Sequence, residues 1–207
     1  MASTTDQSKK PIINSIAIAG AGGIGGFVVA GLADYGGARN QFPYTGIKVD
    51  IYDDDLVDAS NVLHQNYTEV DIGQQKATLC AARYNCYAVN RFMEIKDFMD
   101  YDVVFCCVDS MTFRKELYQY GWKHPELFWI DGRCSSRNIG IYHSKLSRKS
   151  IEGDLTDSTK RAGCLLEVDK KNNISHATPQ IAANMMIQTF LNYLRGEVQT
   201  EKIILMI

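Results

Sequence analysis

Short apolar runs alternate with segments of helical composition along most of the chain. Four segments are predicted to be strands, and the first and third have the apolar composition of buried strands: residues 12–19, 47–52, 102–108 and 127–131. A further short strand is predicted at 91–95 and a last one at 202–207, and helices are predicted at 23–35, 76–87, 111–122 and 179–194. This alternation predicts an α/β fold: a doubly wound, mostly parallel sheet with a Rossmann-like nucleotide-binding half.

The length of 207 residues and the hydrophobic content of 45% are sufficient for one well-packed domain and small for two. We therefore interpret residues 1–207 as a single domain. The polar residues 1–11 are expected to be flexible, and the polar, charged stretch 145–173 is expected to be a mobile loop. The last long helix is expected to have Thr178 as its cap and Pro179 in its first turn.

The formal net charge of −2 provides no excess of basic residues for non-specific binding to nucleic acids or anionic membranes. No apolar run approaches the roughly 20 residues that span a bilayer, and the polar N-terminus lacks the apolar centre of a signal peptide. We expect a cytoplasmic protein with neither nucleic acid nor membrane among its partners.

The cysteine pattern favours reduced thiols over a disulfide framework, because it contains no Cys-x-x-Cys pair and no sign of secretion. Zinc is not expected, since structural zinc sites usually use closely spaced ligand pairs. The six cysteines are Cys80, Cys86, Cys106, Cys107, Cys134 and Cys164.

A glycine-rich stretch directly follows the first apolar run. Glycine lets the backbone turn tightly and approach phosphate oxygens, and the unpaired amides at the start of the next helix carry positive partial charge. The pattern predicts a nucleotide-binding turn, although any dinucleotide-binding fold can contain it. The candidate residues are Gly20, Gly22, Gly23 and Gly25.

An acidic cluster, 53–55, follows the second strand. A carboxylate at this position typically accepts hydrogen bonds from the ribose hydroxyls of a nucleotide, and Asp53 is the candidate. The alternative is an exposed acidic turn. Lys76 opens the next helix, where its ammonium group is either solvated or directed at a triphosphate. Together these features favour ATP over NAD.

Four motifs in this order resemble the ubiquitin-activating adenylyltransferase family of the ThiF/MoeB/HesA type. The resemblance covers about 13–196. The motifs are the glycine turn Gly20–Gly25, the stretch from Asp53 to Gln65 that includes Asp55, Asn61 and His64, the stretch from Asp71 to Ala77, and Asp109 after an apolar strand.

This resemblance implies an enzyme that binds ATP and Mg²⁺ and transfers AMP to the C-terminal glycine of a ubiquitin-like or sulfur-carrier protein, as a homodimer. It implies that Asp53 holds the ribose, that Asn61 and Lys76 hold the phosphates, and that Asp109 serves the metal and the attacking carboxylate. Asp55, His64 and Gln65 join them in the implied nucleotide site.

Two departures from the family pattern bear on activity. His64 stands where the family has arginine, and a neutral imidazole cannot make a bidentate phosphate contact, so adenylation is either retained, slowed or lost. Arg133 and Arg137 are candidates to replace the missing arginine. The paired cysteines of many bacterial relatives are absent.

Cys164 is a candidate thioester- or persulfide-forming nucleophile, because the nearby Lys160 and Arg161 favour a thiolate. The alternative is a small packing residue, and Cys134, placed just after a strand, is a second candidate. Two other functions stay open for the chain as a whole: a non-catalytic module with the same fold, and an NAD(P)-dependent oxidoreductase.

Overall fold

The computed structural model describes residues 11–36, 46–62, 64–135, 137–155, 171–172, 177–197 and 201–206. Within these ranges the chain forms seven strands and six α-helices. The strands are β1 Ser15–Ala19, β2 Lys48–Tyr52, β3 Tyr87–Val89, β4 Val103–Cys106, β5 Phe128–Ser135, β6 Asn138–His143 and β7 Ile203–Met206. The helices are α1 Gly25–Gly36, α2 Ala59–Val62, α3 Lys76–Tyr84, α4 Met111–Lys123, α5 Arg148–Glu152 and α6 Thr178–Leu194.

All seven strands form one sheet, in the order β3-β2-β1-β4-β5-β6-β7. Strands β1 to β5 pair in parallel, whereas β6 and β7 extend the sheet by antiparallel pairing. Ala19 at the end of β1 pairs with both Tyr52 and Cys106, so the segments that follow β1, β2 and β4 emerge side by side. The predicted mostly parallel α/β fold is confirmed.

Both faces of the sheet are covered, which explains why the central strands are apolar at successive positions. Ile16 and Ile18 of β1 belong to a core shared with α1, α3 and α6, whereas Ala17 and Ala19 belong to a core shared with α4 and α5. Helices α1 and α6 pack closely at Gly31, where an added Cβ atom would lie 2.3 Å from Cδ1 of Ile187.

The strand predicted at 91–95 is wrong. The edge strand is Tyr87–Val89, and Ile95–Asp100 forms a 3₁₀ helix. After β3 the backbone turns, with the Arg91 N–H donating to the Val89 carbonyl at 2.8 Å. Helix α3 ends at Tyr84, earlier than predicted, because Asn85 adopts the left-handed conformation with φ of 52°.

The loop predicted from residue 145 is also wrong at its beginning. Ser147 accepts a hydrogen bond from the Ser150 N–H and caps α5, whose Ile151 is buried. Residues 156–170 and 1–10 lie outside the described residues. The cap of α6 is Ala177 and not Thr178, although Pro179 does lie in the first turn.

Strand β5 continues to Ser135, beyond the predicted end at residue 131, and pairs with β6, which was not predicted. Cys134 therefore lies within a strand and not after one. Among the described helices, none combines the length and the apolar character needed to cross a bilayer.

Candidate nucleotide site

A cavity of about 620 Å³ lies where the segments after β1, β2 and β4 emerge from the sheet. This volume is in the usual range for small-molecule sites. Most of the residues predicted for the site line it: Gly20, Gly22, Gly23, Asp53, Asp55, His64, Gln65, Lys76 and Asp109. Gly25 and Asn61 are not among the lining residues, and Cys164 lies outside the described residues.

The glycines of the turn have different roles. Gly20 has a φ of +91°, and an added Cβ there would lie 3.0 Å from the Cys107 carbonyl oxygen. A Cβ at Gly25 would lie 1.8 Å from the Gly20 carbonyl oxygen. At Gly22 the nearest atom would be Oε1 of Gln65, 3.9 Å away. Gly20 and Gly25 therefore allow the turn to form, while Gly22 borders open space in the cavity.

Asp53 connects the glycine turn to the end of β2. Its Oδ2 atom accepts a hydrogen bond from the Ala21 N–H at 2.6 Å, and its Oδ1 atom accepts one from the Asp55 N–H at 2.9 Å. Burial raises the pKa of this carboxyl group, and the two backbone amides oppose that increase. Each carboxylate oxygen keeps lone-pair capacity, so the group can still accept hydrogen bonds from ribose hydroxyls.

Lys76 supplies a buried cation to the cavity. Its Nζ atom donates to Oδ2 of Asp55 at 2.8 Å; the lysine side chain is 6% exposed and the aspartate side chain is 63% exposed. The Lys76 N–H also donates to the Asp55 carbonyl at 3.0 Å, which fixes the start of α3 beside the acidic cluster. The ammonium group is therefore positioned by a partner that remains in contact with solvent.

Asn61 lies in α2, and Gln65 lies in the turn that follows this helix. Oε1 of Gln65 is buried and has no hydrogen-bond partner within the described ranges. Asn61 instead accepts from the Asp58 N–H at 3.0 Å through its side chain, and its carbonyl accepts from the N–H groups of His64 and Gln65. Asn61 thus shapes the turn that carries Gln65, and its role as a phosphate ligand stays a prediction.

Carboxylates border the cavity on two sides. Asp109 follows β4 and is exposed, and within the described part of the chain no hydrogen bond or ion pair engages its carboxylate. On the opposite side, Asp53, Asp54 and Asp55 place one carboxylate oxygen each within 4.8 Å of one another. Oxygen donors of this kind are suited to a hard divalent cation such as Mg²⁺.

Arg114 is a cavity residue that the sequence analysis did not identify. Its Nε atom donates to Oδ1 of Asp131 at 2.9 Å, and its Nη2 atom donates to the Val108 carbonyl at 2.5 Å. Burial would raise the pKa of Asp131, but Arg114 and Arg133 hold it below its usual range. The only sequence signal for Arg114 is its position in the first turn of the predicted helix after Asp109.

Neither arginine suggested as a substitute for the missing family arginine lines the cavity. Arg133 donates to Oδ2 of Asp131 at 2.8 Å, to Oη of Tyr118 at 2.7 Å and to the Asp154 carbonyl at 3.2 Å. Arg137 is exposed at the turn between β5 and β6. Cys134, the second candidate nucleophile, does line the cavity but is buried.

The ThiF family model matches residues 5–204, and the chain therefore belongs to the ThiF family. No curated protein sequence matches it. Among solved structures, PaaA has 16% identity and a TM-score of 0.65, over 94% of this chain and 61% of that chain. E. coli MccB with MccA-N7isoASN has 13% identity and a TM-score of 0.66, over 97% and 63%.

E. coli MccB with ATP is also similar, with 15% identity and a TM-score of 0.60 over 92% of this chain and 58% of that chain. Because the sequence identities are this low, the structural similarity shows a shared fold and nothing more. The present chain spans about three-fifths of the length of these structures.

Proposed function

We propose that this chain binds ATP and Mg²⁺ in the cavity and transfers AMP to the C-terminal glycine of a ubiquitin-like or sulfur-carrier protein. The observation that carries the proposal is the convergence of the glycine turn, Asp53, Lys76 and Asp109 on one cavity. Membership of the ThiF family supports the adenylyltransferase class, and a structure of MccB with ATP has the same fold.

The strand order suggests how the nucleotide lies. The glycine turn follows β1 and Asp53 follows β2, so the phosphates would lie at Gly22 and the ribose beside the Asp53 carboxylate. Lys76 would then direct its ammonium group at the phosphates and release Asp55. Because Asp55 is largely exposed, water can solvate its carboxylate after the exchange.

The reaction requires no nucleophile from the protein. An oxygen of the carrier's terminal carboxylate attacks the α-phosphorus, the bond from that phosphorus to the bridging oxygen breaks, and pyrophosphate leaves with the bonding electron pair. Negative charge grows on phosphate oxygens in the transition state, so Lys76 and the amides of the glycine turn would lower the barrier.

The oxygen donors around the cavity fit Mg²⁺. Asp109 would hold the ion, since its carboxylate is exposed and unengaged within the described residues. Bound there, Mg²⁺ would neutralise part of the phosphate charge. Asp109 would also border the position where the carrier's carboxylate enters, so metal binding and substrate positioning would share one side of the cavity.

Exchange of radioactive pyrophosphate into ATP in the presence of a glycine-tailed protein tests this proposal. We expect exchange with the native chain, and a carrier whose mass has increased by one AMP. Asp109→Ala should abolish exchange, whereas Asp100→Ala, which changes an exposed aspartate away from the cavity, should not. Full exchange by the Asp109 variant would remove the metal assignment.

Cys164, the oligomeric state and the cellular location complete the proposed function. After adenylation, the Cys164 thiolate would attack the carbonyl carbon of the carrier's acyl-adenylate, so that a thioester forms and AMP leaves with the electron pair of the broken carbon–oxygen bond. A thiol-cleavable conjugate that survives Cys164→Ala would remove this role. The chain would act in the cytoplasm and as a homodimer. Sedimentation of the purified chain at the mass of one copy would contradict the dimer, and a secreted product in fractionated cells would contradict the location.

His64 favours a second candidate function, a module that binds a nucleotide but does not catalyse adenylation. This residue lines the cavity at the position where the family has arginine, so one fixed phosphate contact is replaced by an imidazole. ATP-dependent thermal stabilisation without exchange, tested against a panel of glycine-tailed proteins, would select this function. Stabilisation by NAD but not by ATP would contradict both.

A further inference from the structure

Phe92 has an unusual position for a large apolar side chain. It is 68% exposed, yet it lines the same cavity as the glycine turn. The next residue, Met93, also lines the cavity and is buried in the core under α4. An aromatic ring at the mouth of a polar cavity offers a flat apolar surface to whatever occupies the cavity.

The backbone around Phe92 is fixed by its neighbour. The Arg91 guanidinium donates to both carboxylate oxygens of Asp97, each at 2.7 Å, and to the Phe92 carbonyl at 2.9 Å. It also lies over the ring of Tyr52, 5.2 Å from the centroid. A bidentate pair of this kind is among the stronger surface interactions, so these local contacts order the segment that carries the exposed ring.

The sheet places Phe92 in line with the rest of the site. The strand order β3-β2-β1-β4 brings together, in sequence, the segments that carry Phe92, Asp53, the glycine turn and Asp109. The segments of Phe92 and Asp53 are adjacent, since the Asp53 N–H donates to the Val89 carbonyl at 3.2 Å. A nucleotide with its phosphates at the glycine turn and its ribose at Asp53 therefore directs its base towards Phe92.

We propose that Phe92, supported by Met93, is the stacking surface for the base of the bound nucleotide. This inference rests on the proposed function, because it takes the ribose and phosphate positions from it. Stacking on an aromatic ring depends on the area of the base, so the surface favours a purine over a pyrimidine. Phe92 is thus a specificity-determining residue, whereas Arg91 and Asp97 are positioning residues that act through its backbone.

Isothermal titration of ATP and CTP against the full chain tests the inference. Phe92→Ala should raise the dissociation constant for ATP by on the order of tenfold and that for CTP by less. Phe92→Tyr keeps the ring and should restore ATP affinity. The matched control is Met99→Ala, which removes a side chain that is 76% exposed but outside the cavity, and should change neither constant.

Two results would overturn the inference: unchanged ATP affinity in Phe92→Ala, or an equal loss for ATP and CTP, which a purely structural role would produce. Both leave the proposed function intact. Failure of the native chain to bind either nucleotide would instead remove the proposed function, and the inference with it. Chemical denaturation of each variant checks that folding is unaffected.

Discussion

Two buried cations, Lys76 and Arg114, line the same cavity, and each pairs with an aspartate at almost the same distance. Lys76 and Asp55 are joined by a nitrogen–oxygen distance of 2.8 Å, and Arg114 and Asp131 by one of 2.9 Å. Both cations are buried, at 6% and 10% exposure, but Asp55 is 63% exposed and Asp131 is 0% exposed. The difference between the pairs lies in the carboxylate.

That difference separates a binding role from a structural one. Water can solvate Asp55 when a ligand takes its lysine, so the exchange has a small free-energy cost. Asp131 has no such alternative, because a buried carboxylate without its cations is strongly unfavourable. Similar distances in one cavity therefore do not imply similar functions, and the exposure of the acidic partner distinguishes them.

The largest effect is expected when the buried carboxylate is neutralised, and it is compared with removal of the lysine from the pair whose carboxylate is exposed. Asp131→Asn should lower the free energy of unfolding by about 3–5 kcal/mol, since it leaves the buried Arg114 and the partly buried Arg133 without a counter-charge. Lys76→Met should lower it by less than about 1 kcal/mol, because the Asp55 carboxylate that it leaves unpaired is 63% exposed. Denaturation in urea measures both. Equal losses would show that the exposure of the carboxylate does not distinguish the pairs.

The next effect concerns activity. Lys76→Met should reduce the rate of pyrophosphate exchange about 100- to 1,000-fold, because one fixed cation is removed from the developing charge. The free energy of unfolding should change little, since Asp55 remains solvated. Lys96→Met is the matched control: Lys96 pairs with Glu94 at the surface, outside the cavity. Pyrophosphate exchange at the native rate in the Lys76 variant would show that the Lys76–Asp55 pair is structural as well.

His143 extends the comparison to a buried group without a carboxylate partner among the described residues. Burial lowers its pKa, and within those residues no carboxylate opposes that decrease. Burial, and then the charge of Lys145, lowers its pKa to about 4, while its unfolded value is near 6.5. The folded state therefore binds fewer protons between these values. Stability should fall by about 3 kcal/mol as the pH decreases from 6.5 to 4.

Urea denaturation across this pH range, in the native chain and in His143→Gln, isolates that contribution from the other titrating groups. The variant should lose the corresponding part of the pH dependence. Asp131, whose pKa is lowered, should contribute its own loss only as the pH falls below about 4. An identical pH profile for the two proteins would contradict the assignment to His143.

The smallest effect is a gain. His64→Arg places a guanidinium at the cavity and should lower the dissociation constant for ATP by on the order of tenfold, because a guanidinium can donate two hydrogen bonds to a phosphate. His124→Arg, at the end of α4 and outside the cavity, should leave it unchanged. Equal affinity of the native chain and the His64 variant would mean that this position does not contact phosphate.

The parts of the fold that were predictable are those in which burial covers both faces of a strand. β1, β4 and the first residues of β5 are such strands, and their continuous apolar runs marked them, while β2 was marked by apolar residues at alternate positions. β3 was placed wrongly because it has three residues and an exposed Tyr87, so no apolar run marks it. β6 was not found because its pairing with β5 depends on a turn that carries no distinctive residues.

The site was predictable where a local motif determines position. Gly22, Asp53 and Lys76, which local motifs singled out, line the cavity, and their roles in binding stay predictions. The motif could not indicate that the side chain of Asn61 is used within its own turn. Nor could it reveal Arg114, because this residue lies in α4 and is oriented by Asp131 of β5, which is not part of any of the motifs.

Gly22 has a practical consequence for work on this site. Substitution of Gly20 or Gly25 would distort the backbone before any ligand is added, so an inactive variant at either position would say nothing about nucleotide chemistry. Gly22 has room for a methyl group and a backbone that does not demand glycine. An alanine there would act as a steric reporter, obstructing the occupant of the cavity while the empty protein keeps its shape.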